Sequence, residues 1–179
     1  KARLVANGRD QDPEMYPDKS SPTVAVHSVF TALGLASGKP WRIVVKIDIK
    51  GAFVQTPMKG EPVFMKIDPK ISRYVIKLFP ELEEMLEGDG CLYTQLLKAM
   101  YGCIQASALW YALIKSFLVE LGYECSETDR CVFRKRVGNR IYLLLLYVDD
   151  ILAQVDKQEA ERLRVHLRNR FGEVQFEVG

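Results

Sequence analysis

Charge imbalance is nearly absent from this chain. Its 25 lysines and arginines face 23 aspartates and glutamates, a formal net charge of +2, so overall charge selects no partner. Histidine occurs only twice, at His27 and His166. Each lies on a helical pattern among apolar or basic neighbours, which gives it a structural and not a catalytic place. The four cysteines, at 91, 103, 125 and 131, form no Cys-x-x-Cys pair, so the spacing of a zinc site is missing. Cys103 falls in an apolar helical stretch and reads as a buried thiol, and the set suits a reducing compartment. No signal peptide, internal repeat or low-complexity tract is visible. The apolar run from Ile141 to Val148 is far too short to span a bilayer, so no membrane partner is expected.

What is present is ample apolar material. Hydrophobic residues make up 48% of 179 residues, which suits one domain or two small lobes sharing a core and excludes a disordered chain. The opening at Lys1 reads as a piece cut from something longer. Charge is clustered although it is balanced. Arg130, Arg134, Lys135, Arg136 and Arg140 crowd one stretch, and Arg162, Arg164, Arg168 and Arg170 another. Such clusters suit either a phosphate backbone or a solvated face. Glu81, Glu83, Glu84, Glu87 and Asp89 form an acidic counterpart.

Residues 10–22, with three prolines, read as a loop. Residues 23–37 suit a helix capped by Thr23, with Val26, Val29, Phe30, Leu33 and Leu35 as its apolar stripe. Gly38-Lys39-Pro40 ends it. Arg42 to Ile49 reads as a β-branched strand and Val63 to Ile67 as a shorter one, with a turn at 56–62. The acidic segment 80–90 reads as a short helix or an exposed insertion. A helical pattern runs through 95–122 and is clearest from Ala106 to Leu121. Cys131 to Arg136 and Arg140 to Tyr147 read as strands joined by Gly138-Asn139. Ile151 to Val155 resumes the apolar run, and Lys157 to Phe171 closes as an amphipathic helix with Leu163, Leu167 and Phe171 on one side. This mixture, rich in hairpins, argues an α+β fold.

Asp149 and Asp150 interrupt two strongly apolar strand halves. Buried strands avoid carboxylates because desolvating a charge is costly. Two in succession therefore imply a tight hairpin that lifts them to an edge, where a bound Mg²⁺ would relieve their repulsion. Asp48, between Ile47 and Ile49, ends another β-branched strand. If the two elements neighbour each other in one sheet, three carboxylates surround one point. Two hard cations need about that many when substrate phosphates supply further ligands, and such a pair holds both oxygens of an in-line phosphoryl displacement. The plainer readings are a turn pair for Asp149-Asp150 and a helix cap for Asp48.

The chain also resembles a known family. Tyr147-Val148-Asp149-Asp150 is similar to the Tyr-x-Asp-Asp box of reverse transcriptases. Lys46-Ile47-Asp48-Ile49-Lys50-Gly51-Ala52-Phe53 resembles their first catalytic box. Lys1-Ala2-Arg3-Leu4-Val5-Ala6, Ser21-Pro22-Thr23, and Lys98-Ala99-Met100-Tyr101-Gly102 through Gln105-Ala106 to Trp110-Tyr111 narrow the resemblance to the copia class of LTR retrotransposons. It covers nearly the whole chain. Departures occur at Gly102-Cys103-Ile104-Gln105-Ala106-Ser107-Ala108, where many copia members carry Gly-Leu-Lys-Gln-Ala-Pro-Arg, and at Val54-Gln55-Thr56, where Leu-Asn-Gly is usual.

The resemblance implies a right-hand polymerase: an antiparallel palm sheet backed by helices, mainly 41–54 and 96–179, with fingers mainly 1–40 and 55–95. Thumb, connection and RNase H regions would be absent, so this piece alone is expected to polymerise poorly. Asp48 and Asp149 would be the principal metal ligands, Asp150 would assist, and the backbone carbonyl of Ile49 would join the shell around two Mg²⁺ ions, with Mn²⁺ as a substitute. Phe53 would floor the sugar pocket and exclude a 2′-hydroxyl, or simply pack the core. Arg3 and Lys1 would meet the incoming triphosphate. Gly102 and Gln105 would line the nucleotide pocket, Tyr147 would meet nucleic acid, and Trp110 and Tyr111 read as helix core. The implied partners are an RNA template, a DNA primer, dNTPs and the remainder of a Pol polyprotein. The implied place is intracellular, in a cytoplasmic virus-like particle or the nucleus. Rival readings are an RNA-dependent RNA polymerase, which Phe53 opposes; an inactive or domesticated nucleic-acid-binding relic, which the intact aspartates oppose; and a nucleotide cyclase, which the fingers boxes do not support.

Overall fold

The computed structural model describes residues 4–17 and 19–179. The described residues form five α-helices and eight strands: α1 (Val26–Ser37), β1 (Ile43–Ile49), α2 (Ala52–Gln55), β2 (Phe64–Ile67), α3 (Pro69–Leu78), β3 (Leu92–Gln95), α4 (Ala106–Glu120), β4 (Glu124–Cys125), β5 (Val132–Val137), β6 (Arg140–Tyr147), β7 (Asp150–Val155), α5 (Lys157–Phe171) and β8 (Val174–Val178). Six strands form one antiparallel sheet in the order β4-β5-β6-β7-β1-β8, and β2 and β3 pair separately. Mixed α/β content with an antiparallel sheet agrees with the α+β expectation.

The large sheet has two unlike faces. Side chains alternate along a strand, so Val45, Ile47 and Ile49 of β1 share a face with Ile151, Ala153 and Val155 of β7 and with Leu144 and Leu146 of β6. All are buried, and α4 and α5 cover them with Trp110, Ile114, Phe117, Leu118, Leu163, Leu167 and Phe171. Burying one such aliphatic side chain is worth about 1.5–3 kcal/mol. This face therefore fixes the register of β1 against β7: a slip by one residue would bring charged side chains into the core. Helix α5 opens with Asp156, whose carboxylate accepts from the Glu159 N–H at 2.9 Å and from the Tyr142 hydroxyl at 2.6 Å. Beneath it a buried ion pair, Lys135 to Glu159 at 2.7 Å, is completed by the Tyr123 hydroxyl at 3.0 Å. Burial and the Glu159 carboxylate push the Tyr123 phenol well above its ordinary range, so it stays a donor.

Helix α1 departs from expectation in two ways. It starts at Val26 and Ala25 offers no side-chain cap, so Thr23 does not play that part. The cap comes from across the fold: one Asp129 oxygen accepts from the Ala25 N–H at 3.0 Å and the Ser28 hydroxyl at 2.6 Å, while the other takes the Cys131 N–H at 3.0 Å. The expected apolar stripe is also uncovered. Val26, Phe30, Leu33 and Leu35 are exposed, and only Ala32 is buried. The helix lies over Val132, Leu143 and Leu145 of the other sheet face through its small residues, leaving a cavity of about 250 Å³ beneath it. Periodicity says that a face is apolar, not that something covers it.

Two further expectations change. Only Ala106–Glu120 of the 95–122 pattern is helical. Gly102 has φ +94°, and the Tyr101 carbonyl is taken by the Ala6 N–H at 2.7 Å, so the chain turns there before α4 begins. Cys103 is buried, as expected, but in that turn and not in a helix. Helix α3 and strands β3 and β8 were not foreseen. Asp68-Pro69 begins α3, the Asp68 carboxylate accepting from the Lys70 N–H at 2.8 Å. The acidic stretch begins as an exposed 3₁₀ turn, Pro80–Met85. Among the described residues no helix is long and apolar enough to cross a membrane.

Asp129 yields a pH-dependent prediction. Burial works to raise its pKa, but the Ser28 hydroxyl, the Cys131 and Ala25 N–H groups and the nearby His27 outweigh it and hold the carboxyl below its ordinary value. A depressed folded-state pKa stabilises above the unfolded value, near about 4, and that stabilisation is lost as pH falls through the folded value. Asp129→Ala is expected to lower stability by about 1–3 kcal/mol at neutral pH. In urea unfolding at stepped pH, the gap from the parent should shrink below about pH 4.

Candidate active site

The open face of the large sheet carries the acidic residues. The registers place Tyr147 of β6 opposite Asp150 of β7, Asp150 opposite Asp48 of β1, and Asp48 opposite Gln175 of β8. These four residues form one row across the sheet. Asp149 precedes Asp150 in the turn between β6 and β7. Two stretches about a hundred residues apart in sequence thus bring Asp48 and Asp150 into register on neighbouring strands. Asp48, Asp149 and Asp150 are each half-buried, and Tyr147 is 55% exposed, so the row is open to a large substrate.

The turn that presents Asp149 is strained. Only Val148 and Asp149 lie between the paired residues Tyr147 and Asp150. Val148 has φ +55° and is the one non-glycine residue with positive φ among the described residues. A β-branched side chain rarely adopts that conformation, at a cost of about 1–3 kcal/mol. Two contacts hold it. The buried Trp110 indole N–H donates to the Val148 carbonyl at 2.6 Å, and the Ile49 N–H donates to the Asp149 carbonyl at 3.3 Å. The Ile49 side chain itself is fully buried.

The surroundings are partly cationic. Lys46, on the same face as Asp48 and two residues earlier, places Nζ 3.5 Å from Asp150 Oδ1. Both side chains are about half exposed, so the pair is worth at most about 1 kcal/mol. Lys50, just past β1, pairs with Glu173. Sequence reasoning passed over Lys46 and Gln175. Their places depend on which strands neighbour β1 and in what register, and β8 itself went unread.

Beyond β1 the chain turns at Gly51, φ +67°, into α2. Phe53 of α2 is half-buried and touches the buried clusters on both sides; its ring meets Tyr101 edge to face at 4.8 Å. Gly102 follows Tyr101. A Cβ there would run into the Ala6 carbonyl oxygen, and a Cβ at Gly8 would run into the Gly102 carbonyl oxygen. The two glycines let the two backbones touch. Gln105 is buried beside them. Its Oε1 accepts from Gln11 at 3.1 Å, and its Nε2 has no partner among the described residues. Trp110 and Tyr111 are buried in α4, as expected. His27 and His166 are exposed on α1 and α5. Lys1 and Arg3 lie outside the described residues.

Carboxylate oxygens suit a hard cation such as Mg²⁺, so the donor chemistry fits. The three side chains are not drawn to a single point, however. Among the described residues, no group of three or more His, Cys, Asp or Glu stands ready to hold a metal ion. Like charges repel, and Asp150 leans instead to Lys46.

The fold and site define a mixed α/β protein whose antiparallel sheet presents an acidic row on an open face. A family model described as reverse transcriptase (RNA-dependent DNA polymerase) matches residues 1–178, and the chain belongs to that family. It is 34% identical, over 85% of its length, to the retrovirus-related Pol polyprotein from transposon RE2 of Arabidopsis thaliana. It is 33% identical, over the same share, to that from transposon TNT 1-94 of Nicotiana tabacum, and 29% identical over 96% to the transposon Ty1-GR3 Gag-Pol polyprotein of Saccharomyces cerevisiae. The chain spans only 9–10% of these polyproteins. Among solved structures, telomerase from Candida albicans in complex with a telomeric RNA fragment matches 96% of this chain and 32% of its own, at 12% identity and a TM-score of 0.45. The relatives agree with the copia-type resemblance read from the motifs.

The glycine contact can be tested apart from activity. Gly102→Ala is expected to destabilise the chain by more than about 1 kcal/mol, because both φ and the Ala6 carbonyl oppose it. Gly38→Ala, at φ −88° with open space around it, is the control and should shift the denaturation midpoint little.

Proposed function

We propose that this chain forms the palm and part of the fingers of an RNA-directed DNA polymerase, with Asp48, Asp149 and Asp150 as its catalytic carboxylates. The observation that carries this reading is the register of β1 against β7, in which Asp48 lies directly opposite Asp150. On this reading the palm comprises mainly 41–54 and 96–179, and the fingers mainly 1–40 and 55–95. An RNA template and DNA primer lie across the open face, where Tyr147 is exposed beside Asp150, and dNTP enters from the side of α2. Phe53, pinned between Tyr101 and two buried clusters, serves as the rigid floor that leaves no room for a ribose 2′-hydroxyl. Gly102 and Gln105 shape the adjoining nucleotide pocket, and Lys1 and Arg3 meet the triphosphate.

Asp48, Asp149 and Asp150, with the Ile49 backbone carbonyl, would hold two Mg²⁺ ions, Mn²⁺ being a substitute. Bound there, the cations would supply positive charge that steadies the attacking and leaving groups of a phosphoryl transfer. The protein's own contribution is position. The packed face of the sheet fixes the strands, and the strands fix the carboxylates. Lys46 offsets part of the negative charge of Asp150. The remainder of a Pol polyprotein supplies the primer-holding regions, in an intracellular virus-like particle.

In a polymerase carrying this chain, primer extension on an RNA template with Mg²⁺ is expected to fall by more than about a hundredfold in Asp149→Asn or Asp48→Asn, with the fold intact by circular dichroism. Normal extension by either variant would remove the site assignment. Phe53→Ala should raise ribonucleotide incorporation relative to deoxynucleotide. An unchanged ratio would return Phe53 to plain core packing.

A further inference from the structure

Trp110 stands where helix, core and catalytic turn meet. It is 1% exposed. Its ring packs edge to face on Phe171 of α5, with centroids 5.4 Å apart, and Phe117 of α4 meets the same Phe171. An indole has one donor and no acceptor, and burial without a partner would be costly. That donor could have found a carbonyl of its own helix or a water. It reaches instead across to the Val148 carbonyl, at 2.6 Å, in the residue whose φ is least comfortable.

The peptide bond makes this contact directional. Val148 C=O and Asp149 N–H share one rigid plane and point opposite ways. Fixing the carbonyl toward the core therefore sends the Asp149 N–H outward and sets the plane from which the Asp149 side chain departs. On its other side Asp149 is held by the Ile49 N–H on its carbonyl. Ile49 is the residue after Asp48. The backbone of Asp149 is thus gripped from both flanks, once by α4 and once by the strand that carries Asp48. Without the indole, only the two-residue hairpin and the Ile49 contact hold a valine at φ +55°, and the peptide is freer to turn over.

We propose that Trp110 is a positioning residue for the catalytic turn: its indole N–H holds the Val148 carbonyl and so sets where Asp149 points relative to Asp48. The role rests on the polymerase reading for its consequence, though not for its geometry. It makes a specific demand on Val148. Glycine accepts positive φ without strain, so the turn of a Val148→Gly variant should need the indole far less.

The experiment is a double-substitution cycle with Trp110→Phe, Val148→Gly and the pair, plus Ile114→Val as a core control from the same helix. Trp110→Phe keeps an aromatic ring and loses the donor. Two measurements are made: hydrogen exchange of amides 146–151, and steady-state primer extension by a polymerase carrying this chain. Trp110→Phe is expected to speed exchange in the turn and to lower kcat by about ten- to a hundredfold, with KM for dNTP nearly unchanged. In the Val148→Gly background the same change should cost only a small fraction of that. Ile114→Val, at similar loss of stability, should leave kcat near the parent value. Equal losses in both backgrounds, an equal kcat loss in Ile114→Val, or unaltered exchange in Trp110→Phe would each overturn the proposal. Faster turn exchange in Trp110→Phe, with a parent that extends no primer, would uphold the indole contact and defeat the polymerase reading instead.

Discussion

Two carboxylates set directly opposite each other on neighbouring strands repel, and a sheet left to itself would choose another pairing. Asp48 and Asp150 hold that arrangement because the reverse side of the same strands leaves no choice. Ile47 against Ile151 and Val45 against Ala153 are sealed beneath α4 and α5. Each buried pair is worth several times the repulsion across an open, solvated face. The core thus enforces an electrostatic conflict on its far side. A cationic ligand or a phosphate-bound metal would find that conflict already assembled.

Much of this was legible because the signals were local. Strands β1 and β6, helices α4 and α5 and the turn at Gly138 all announce themselves by periodicity or turn chemistry within a dozen residues. The acidic residues stood out because charge does not belong inside an apolar run. The reading failed where the cause was distant. Helix α1 borrows its cap from Asp129, a hundred residues on, and its apolar stripe lies uncovered. The helical pattern before Ala106 is broken by backbone contact with Ala6, which no window around residue 100 contains. Strand β8 is short, mixed in polarity and defined by its pairing with β1.

The site divides the same way. Asp48, Asp149 and Asp150 were chosen by residue type, and the sheet brings their backbones together. Phe53, Gly102 and Gln105 fall near one another through contacts among α2, residues 101–105 and the segment that includes Ala6 and Gln11. What the sequence could not disclose is the sign of φ at Val148 or the target of the Trp110 indole. A tryptophan in a helix reads as core, and it is core. Its one polar atom carries the extra information, and that atom's partner lies 38 residues away.

The meeting of Gly8 with Gly102 constrains how this protein can change over generations. In each case the nearest obstacle to a larger residue is a carbonyl of the main chain, which no shrinking of a side chain removes. No second substitution nearby can make room. The two positions are therefore closed to ordinary drift, and a descendant that loses either glycine must reroute the strand of chain leading into α4, with the floor of the proposed nucleotide pocket moving along with it.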